Sequence, residues 1–502
     1  MLDAFVGGLA LVLTAKTLGF MMLGVLLGFW VGLLPGLGGM TTLALMLAFI
    51  YPMSPPDAFA FLLGMHSVTA TTGDITSILF GVPGEAISAA TVLDGHPMAT
   101  KGEAGRALGA ALMSSLVGAV IGAAALALAI PVVRPLVLAF GSPELFMLAV
   151  MGLGFIVSLS GRGWRGLARG FLAAALGLFC STIGQDPQGG VLRFTLGTLY
   201  LWEGLDLVPV MVGLFAIPEV IDLACRGTAI AGTTVPQRLA VGVLEGVKDT
   251  FRHWGLTVRC SLIGAFIGVI PGLGGGVAQW LAYGHAVQSA PAAERGGFGR
   301  GDVRGVLGPG AANNSKEGGS LIPTVAFGVP GSASMALLLA AFTLMGLVPG
   351  PDMLTKHLTL TFSMVWTIIL ANVVSVALSL LFLSHLVRLT TVRGGLIIPF
   401  VLLLTFIGGF TANNSLGDLV VTVVFGALGY LMVLFGWPRP PFVLGLVLGK
   451  IAEDYLFIST SRYGAEWLSR PMVVLIGALT LVAIVYPALQ ARWAARRAGH
   501  AA

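Results

Sequence analysis

Four ionisable side chains stand out in a chain that is otherwise strongly apolar: Asp74, Glu85, Lys316 and Glu317. Asp74 sits among the hydroxyls Thr69, Thr71, Thr72, Thr76 and Ser77, and Lys316 follows Asn313-Asn314-Ser315. An ammonium such as Lys316 can meet a carboxylate, while a carboxylate ringed by hydroxyl and amide oxygens can hold a small cation. Thr71, Asp74 and Asn313 are therefore candidates for a coupling ion, and Thr72, Asn313, Asn314, Ser315 and Lys316 for an anionic substrate. Blander roles compete with these. Lys316 and Glu317 could pair with each other at an aqueous mouth, Glu85 could be a solvated end, and single hydroxyls also serve helix packing.

Backbone groups are a second source of binding chemistry. Leu34-Pro35-Gly36-Leu37-Gly38-Gly39 returns as Ile270-Pro271-Gly272-Leu273-Gly274-Gly275, each copy after an apolar run carrying Gly28 and Gly32, or Gly264 and Gly268. Proline removes a donor and clashes with the preceding turn, and glycine frees the backbone, so each copy predicts a helix broken inside the membrane. Amides or carbonyls exposed at that depth must face protein, water or ligand. That adds Pro35, Gly36, Gly38, Gly39, Gly272, Gly274 and Gly275 to the candidate substrate site. A second doubled element, Phe80-Gly81-Val82-Pro83-Gly84 and Phe327-Gly328-Val329-Pro330-Gly331, follows apolar stretches 75–80 and 321–327 that are too short to span. These predict tips of re-entrant hairpins, adding Pro83, Gly84, Pro330, Gly331 and Ser332. Residues 308–319, rich in Gly, Asn and Ser, read as a flexible polar stretch entering the second hairpin.

Such residues need a membrane scaffold, and the composition supplies one. Of 502 residues 56% are hydrophobic and 10% charged, and mean hydropathy is +0.95. The chain reads as an all-α polytopic membrane protein of roughly ten to twelve transmembrane helices. The alternating ten-residue segments of a barrel do not occur. A net charge of +5 is spread too thinly, and without interleaved aromatics, for a nucleic-acid surface. Cys180, Cys225 and Cys260 have no metal-site or disulfide spacing, and His66, His96 and His285 read as lone loop or packing residues. No phosphate-binding Gly-x-x-x-x-Gly-Lys loop, His-Glu-x-x-His or Gly-x-Ser-x-Gly occurs, so neither ATP coupling nor a familiar hydrolase is indicated.

The doubled motifs lie in the same order, 236 residues apart from Pro35 to Pro271 and 247 from Pro83 to Pro330. Two repeats follow, with an insertion at 290–304 in the second. Basic clusters at Lys101/Arg106, Arg162/Arg165/Arg169, 225–259, Arg388/Arg393 and Arg492/Arg496/Arg497 predict the cytoplasmic loops. Counting apolar runs between them makes the repeats inverted. The expected organisation is a first repeat over 1–225, a cytoplasmic linker over 226–258, a second repeat over 259–470, and an extra helix with a basic tail over 471–502. Gln185, Asp186 and Arg193 fall in a predicted outer loop, as a solvated turn or docking surface.

The chain also resembles the large membrane subunit of tripartite tricarboxylate transporters, the TctA type. The resemblance is carried by the two doubled elements together with Leu93-Asp94-Gly95-His96-Pro97, Lys101-Gly102-Glu103-Ala104-Gly105-Arg106, Phe298-Gly299-Arg300-Gly301, Ala311-Ala312-Asn313-Asn314 and Val348-Pro349-Gly350-Pro351. It departs at residues 64–74, where many relatives are Tyr-Gly-rich, and at Gly310, where many have Glu. The resemblance implies a bacterial inner-membrane permease that works with a small TctB-like membrane subunit and a periplasmic TctC-like binding protein. It further implies import of a small carboxylate driven by a Na+ or H+ gradient, with no other cofactor. A membrane-embedded enzyme acting on a lipid-linked or apolar substrate is the alternative, and a passive scaffold a third reading. No catalytic residues are assigned.

Overall fold

A computed structural model describes residues 1–32, 38–81, 88–159, 163–186, 188–226, 242–271, 274–389 and 394–482. The first half contains α1 (Leu2–Val12), α2 (Ala15–Gly32), α3 (Gly39–Leu47), α4 (Pro55–Phe80) and α5 (Ala89–Thr100). It continues with α6 (Ala104–Leu138), α7 (Ser142–Leu159), α8 (Gly163–Ser181) and α9 (Leu207–Arg226). The second half opens with α10 (Val243–Arg252), α11 (Trp254–Val269), α12 (Gly274–Ser289), α13 (Arg304–Phe327) and α14 (Ala333–Leu344). It closes with α15 (Leu358–Leu389), α16 (Gly394–Phe410), α17 (Leu416–Leu434), α18 (Arg439–Tyr463) and α19 (Pro471–Val482). The strands described are a two-residue antiparallel ladder, Gly184–Gln185 with Leu192–Arg193, in the loop before α9.

The halves run in step. α2 ends at Gly32 and α3 begins at Gly39, as α11 ends at Val269 and α12 begins at Gly274, and Gly38 and Ile270, one in each Pro-Gly-Leu-Gly-Gly region, both have extended backbone. Two prolines open α4, where their fixed φ suits the first turn and no donor is lost. α4 and α13 both end on a left-handed glycine, Gly81 at φ 67° and Gly328 at φ 66°. A side chain there would be strained, which accounts for the repeated Gly at these two positions.

Helix pairing obeys a two-fold rule. α2 packs on α4 as α11 packs on α13. α6 packs on α13 as α15 packs on α4, α10 on α6 as α1 on α15, and α8 on α18 as α17 on α9. In several of these relations the partners exchange halves, which is what a two-fold axis between repeats requires. α4 and α13 form the buried centre: Asp57 to Leu79 of α4 and Gly305 to Ala326 of α13 are almost entirely shielded. α7–α9 and α16–α18 make a second set of helices, tied to the first through α3–α9, α3–α16 and α14–α18. Among the described residues the symmetry mates of those ties, α12–α18, α7–α12 and α5–α9, make no comparable contact.

Two expectations are revised. Residues 308–319 are not a flexible stretch but the middle of α13. Their glycines let neighbouring backbones in: a Cβ on Gly318 would strike the Gly122 carbonyl of α6, and one on Gly319 the Ala265 carbonyl of α11. Residues 75–80 and 321–327 are the last turns of long helices, followed by α5 and α14 of 12 residues each, rather than free-standing short arms. Within the expected linker, Val243–Arg252 folds as α10 against α6, while 227–241 lies outside the described residues. Among the described residues four helices are both long and apolar enough to cross a membrane: α2, α6, α17 and the Leu358–Phe382 part of α15. α4 and α13 have the length but carry their polar residues inward, where hydropathy counting misses them.

Candidate functional site

α4 and α13 cross at the centre, and their helical periodicity sets the chemistry there. His66, Ala70 and Asp74 recur every fourth residue along α4, as do Asn313 and Glu317 along α13, so each set shares a face. The faces meet. Asn313 Nδ2 donates to the Ala70 carbonyl at 2.9 Å and to Asp74 Oδ2 at 3.2 Å. Asn314 Nδ2 donates to Thr71 Oγ1 at 2.7 Å and to Asn372 Oδ1 of α15 at 2.5 Å. Asn372 is anchored by its own amide, which donates to the Ile368 carbonyl at 2.8 Å. Every side chain in this group is at most 1% exposed.

The arrangement is rich in oxygen and short of donors. The Asn313 and Asn314 amide hydrogens are used in the cluster, and Oδ1 of each has no hydrogen-bond partner. Buried acceptors without donors are costly, and a hard cation satisfies them where protein does not. Thr71, Asp74, Asn313, Asn314 and Asn372 thus form the best candidate cation site among the described residues, although none of them belongs to a cluster of three or more His, Cys, Asp or Glu.

One turn further along α13 lies a charged group. Lys316 is paired with Glu317 Oε1, and His66 Nε2 approaches Glu317 Oε2 at 3.1 Å; all three side chains are 2–3% exposed. Two charges at this depth persist because each neutralises the other. Lys316 consequently presents no free ammonium in this conformation.

The other expected residues are placed as follows. Thr72 is buried against α2 and gives its hydroxyl to the Val68 carbonyl at 2.9 Å. Ser315 turns to α11, where a Cβ on Gly264 would strike its Oγ. Gly38 is the N-cap of α3, Gly39 its first residue, and Gly274 and Gly275 open α12. Pro330 and Gly331 form the second hairpin tip: a Cβ on Gly331 would lie 2.6 Å from the Gly268 carbonyl, so the tip packs against the end of α11. Ser332 spends its hydroxyl capping α14, accepting from the Met335 amide at 3.3 Å. Pro35, Gly36, Pro83, Gly84, Glu85 and Gly272 lie outside the described residues. Asn372 and His66 were not among the candidates; the signal for Asn372 was a lone Asn inside an apolar membrane-length run.

The motif residues around Asp94 also come together. Asp94 of α5, fully buried, accepts from the Gly301 amide at 2.8 Å, the Asp302 amide at 2.9 Å and the Tyr283 hydroxyl of α12 at 3.0 Å. It clasps the 290–303 loop of the second half to the first. Hydrogen bonds to a charged group are worth about 1.5–3 kcal/mol each, so Asp94→Asn, which loses the charge and turns a donor toward donors, should loosen this seam. A cysteine placed at the buried Val303 is expected to label faster with a membrane-impermeant maleimide in Asp94→Asn than in the parent; equal rates would contradict the clasp.

Asp302 belongs to the same seam. Burial pushes its carboxyl up, but the Arg304 side chain, amide and charge outweigh this and hold it below the usual carboxylate range. A carboxyl depressed in the folded state stabilises fully above its unfolded value of about 3.9 and loses that contribution as pH falls through the lower folded value. Hydrogen exchange over 294–304, corrected for intrinsic rates, is expected to stay flat from about pH 7 to 4 and to rise only below. Loosening at pH 5–6 would show that Asp302 does not control the loop.

At the other end of α4, the Tyr51 hydroxyl donates to Asp206 at 3.0 Å, and Asp206 with Tyr200, Trp202, Asn413 and Lys450 lines a cavity of about 600 Å³. Arg193 is held by Glu453 through two bonds of 2.7 and 3.1 Å, and Gln185 lies in the short ladder.

The chain is similar in sequence to known proteins. A profile described as "Tripartite tricarboxylate transporter TctA family" matches residues 18–444. An uncharacterized 52.8 kDa protein in the TAR-I ttuC' 3' region of Agrobacterium vitis is 32% identical over 456 residues, covering 89% of this chain and 88% of that protein. A second uncharacterized protein, from the TAR-II ttuC' 3' region of the same organism, is 30% identical over 225 residues, 44% of this chain and 92% of the relative.

Proposed function

The chain belongs to the tripartite tricarboxylate transporter TctA family, and from that premise we propose that it imports small organic anions, di- or tricarboxylates, driven by an ion gradient. It is a multi-pass membrane protein and a transporter subunit rather than an enzyme. In this reading it sits in a bacterial inner membrane, takes its anion from a periplasmic TctC-like binding protein and works beside a small TctB-like subunit. The coupling ion is Na+ or H+.

The observation that carries the proposal is the sealed polar seam between α4 and α13. Costly buried oxygens at Asn313 and Asn314, beside Asp74, Thr71 and Asn372, suit cation binding at the centre of an apolar bundle. The anion would bind nearby, toward Lys316, the two helix breaks and the hairpin tips.

Two asymmetries support alternating access. The two-fold rule would allow α12–α18 and α5–α9 ties, yet only α3–α9 and α14–α18 are made to that extent among the described residues. The Asp94 clasp closes the basic end of the bundle, while the large cavity lies at the other end of α4. By the positive-inside rule the clasped end is cytoplasmic. This conformation would then be closed inward, and exchange of the ties by their symmetry mates would open it.

The test is uptake of labelled citrate and succinate into vesicles holding the chain with its two partner subunits, with Na+ and pH gradients imposed separately. Accumulation that follows one of the gradients is the expected result. Equilibration indifferent to both would refute ion coupling.

A further inference from the structure

Resting on the functional reading above, we infer that His66 is a proton-binding site of the transport cycle, and that its protonation frees Lys316 to meet a substrate carboxylate. The geometry is that of two cations sharing one anion. Glu317 offers Oε1 to Lys316 and Oε2 to His66 Nε2 at 3.1 Å, and all three groups lie in the dry interior. Neither ring nitrogen of His66 has a hydrogen-bond partner, and Nε2 meets Glu317 by proximity of charge alone. With the hydrogen of a neutral imidazole placed on Nε2, toward Glu317, Nδ1 is an open acceptor, and the pair Lys316–Glu317 cancels to zero.

A proton arriving from water binds Nδ1 and makes the group net positive; no other bond forms or breaks. Imidazolium and ammonium then compete for one carboxylate. Since an uncompensated buried charge is strongly unfavourable, the added positive charge is held only if an anion joins it. A carboxylate of the substrate beside Lys316 supplies that charge, so proton and anion each stabilise the other's binding. Lys316 is the group able to turn, because its ammonium ends a flexible four-carbon stem.

Among the described residues, the surroundings leave His66 to Lys316 and Glu317. Of the helices packed on α4, α3 and α14 carry no titratable side chain. Lys16 of α2 is paired with Asp57 at 2.9 Å, Arg106 of α6 with Asp249 at 2.6 Å, and Asp94 of α5 with the 301–302 amides. His96 of α5 lies 3.2 Å from the Ile78 carbonyl. Asp3 of α1, Arg134 of α6, Arg304 of α13, and His385 and Arg388 of α15 lie near the ends of their helices. On α4 itself Asp57 lies more than two turns before His66, and Asp74 two turns after it, held by Asn313.

The test follows a pH dye trapped inside vesicles during labelled citrate uptake, with the Na+ gradient fixed and external pH varied. The parent is expected to acidify the lumen in step with citrate entry and to slow as pH rises. His66→Gln, which cannot free Lys316 in this way, should take up citrate more slowly than the parent at the lower pH and lose both the acidification and the pH dependence. Acidification by His66→Gln equal to the parent's, or a parent that takes up citrate with no acidification, overturns the inference while leaving the transport reading intact. A parent that takes up neither citrate nor succinate under any gradient counts against the transport reading and, with it, this inference. His66→Asn, read the same way, replaces His66→Gln if that variant is not monodisperse.

Discussion

Asn314→Ala is expected to lower apparent affinity for the coupling cation by about ten- to a hundred-fold, the range seen when a residue that orients ion ligands is removed. The cause is local. Its single Nδ2 holds Thr71 Oγ1 and Asn372 Oδ1 together from two other helices, so alanine releases two ligands as well as deleting Asn314 Oδ1. The backbone of α13 should not move, because its packing on α6 and α11 runs through Gly318, Gly319 and the Gly264–Ser315 contact. The measurement is carboxylate uptake against cation concentration, alongside the yield of monodisperse protein. Unchanged cation dependence in well-folded Asn314→Ala would remove this cluster from the mechanism.

The second large effect is on stability. Glu317→Gln leaves the Lys316 ammonium buried with no anion, at a cost of about 3–5 kcal/mol. Thermal unfolding in detergent should show a clear loss for Glu317→Gln and for Lys316→Met. The double change Lys316→Met with Glu317→Met should recover most of it, since a buried pair and an apolar replacement of similar volume are commonly close in free energy. Recovered stability without recovered uptake is the expected signature of charges retained for function. If the single changes are as stable as the parent, the pair is not a sealed ion pair in the membrane.

Much of this was legible in the residues. Proline and glycine act on their own backbone, so the extended backbone at Gly38 and Ile270 and the helix ends at Gly81 and Gly328 could be read without knowing what lies across from them. The same holds for the duplication, which is a property of order along the chain. Polar residues at membrane depth also announced Asp74, Asn313, Asn314 and Lys316, because burial without partners is too expensive to occur idly.

Partnership was a different matter. The Gly-, Asn- and Ser-rich run at 308–319 looks flexible in isolation and becomes helical because α6 and α11 press against its glycines. His66 looked solitary because its partner lies 251 residues away. Asn372 likewise joins the cluster only where α15 crosses α13. Lys316, exposed to any anion on paper, is neutralised by its neighbour in the folded chain.

By itself, then, the sequence determined the membrane class, the doubled unit and the places where helices stop, all consequences of hydropathy and local backbone freedom. Only the tertiary structure decided which polar groups face one another, because hydrogen bonds and ion pairs depend on distances of about 3 Å that arise where distant helices cross.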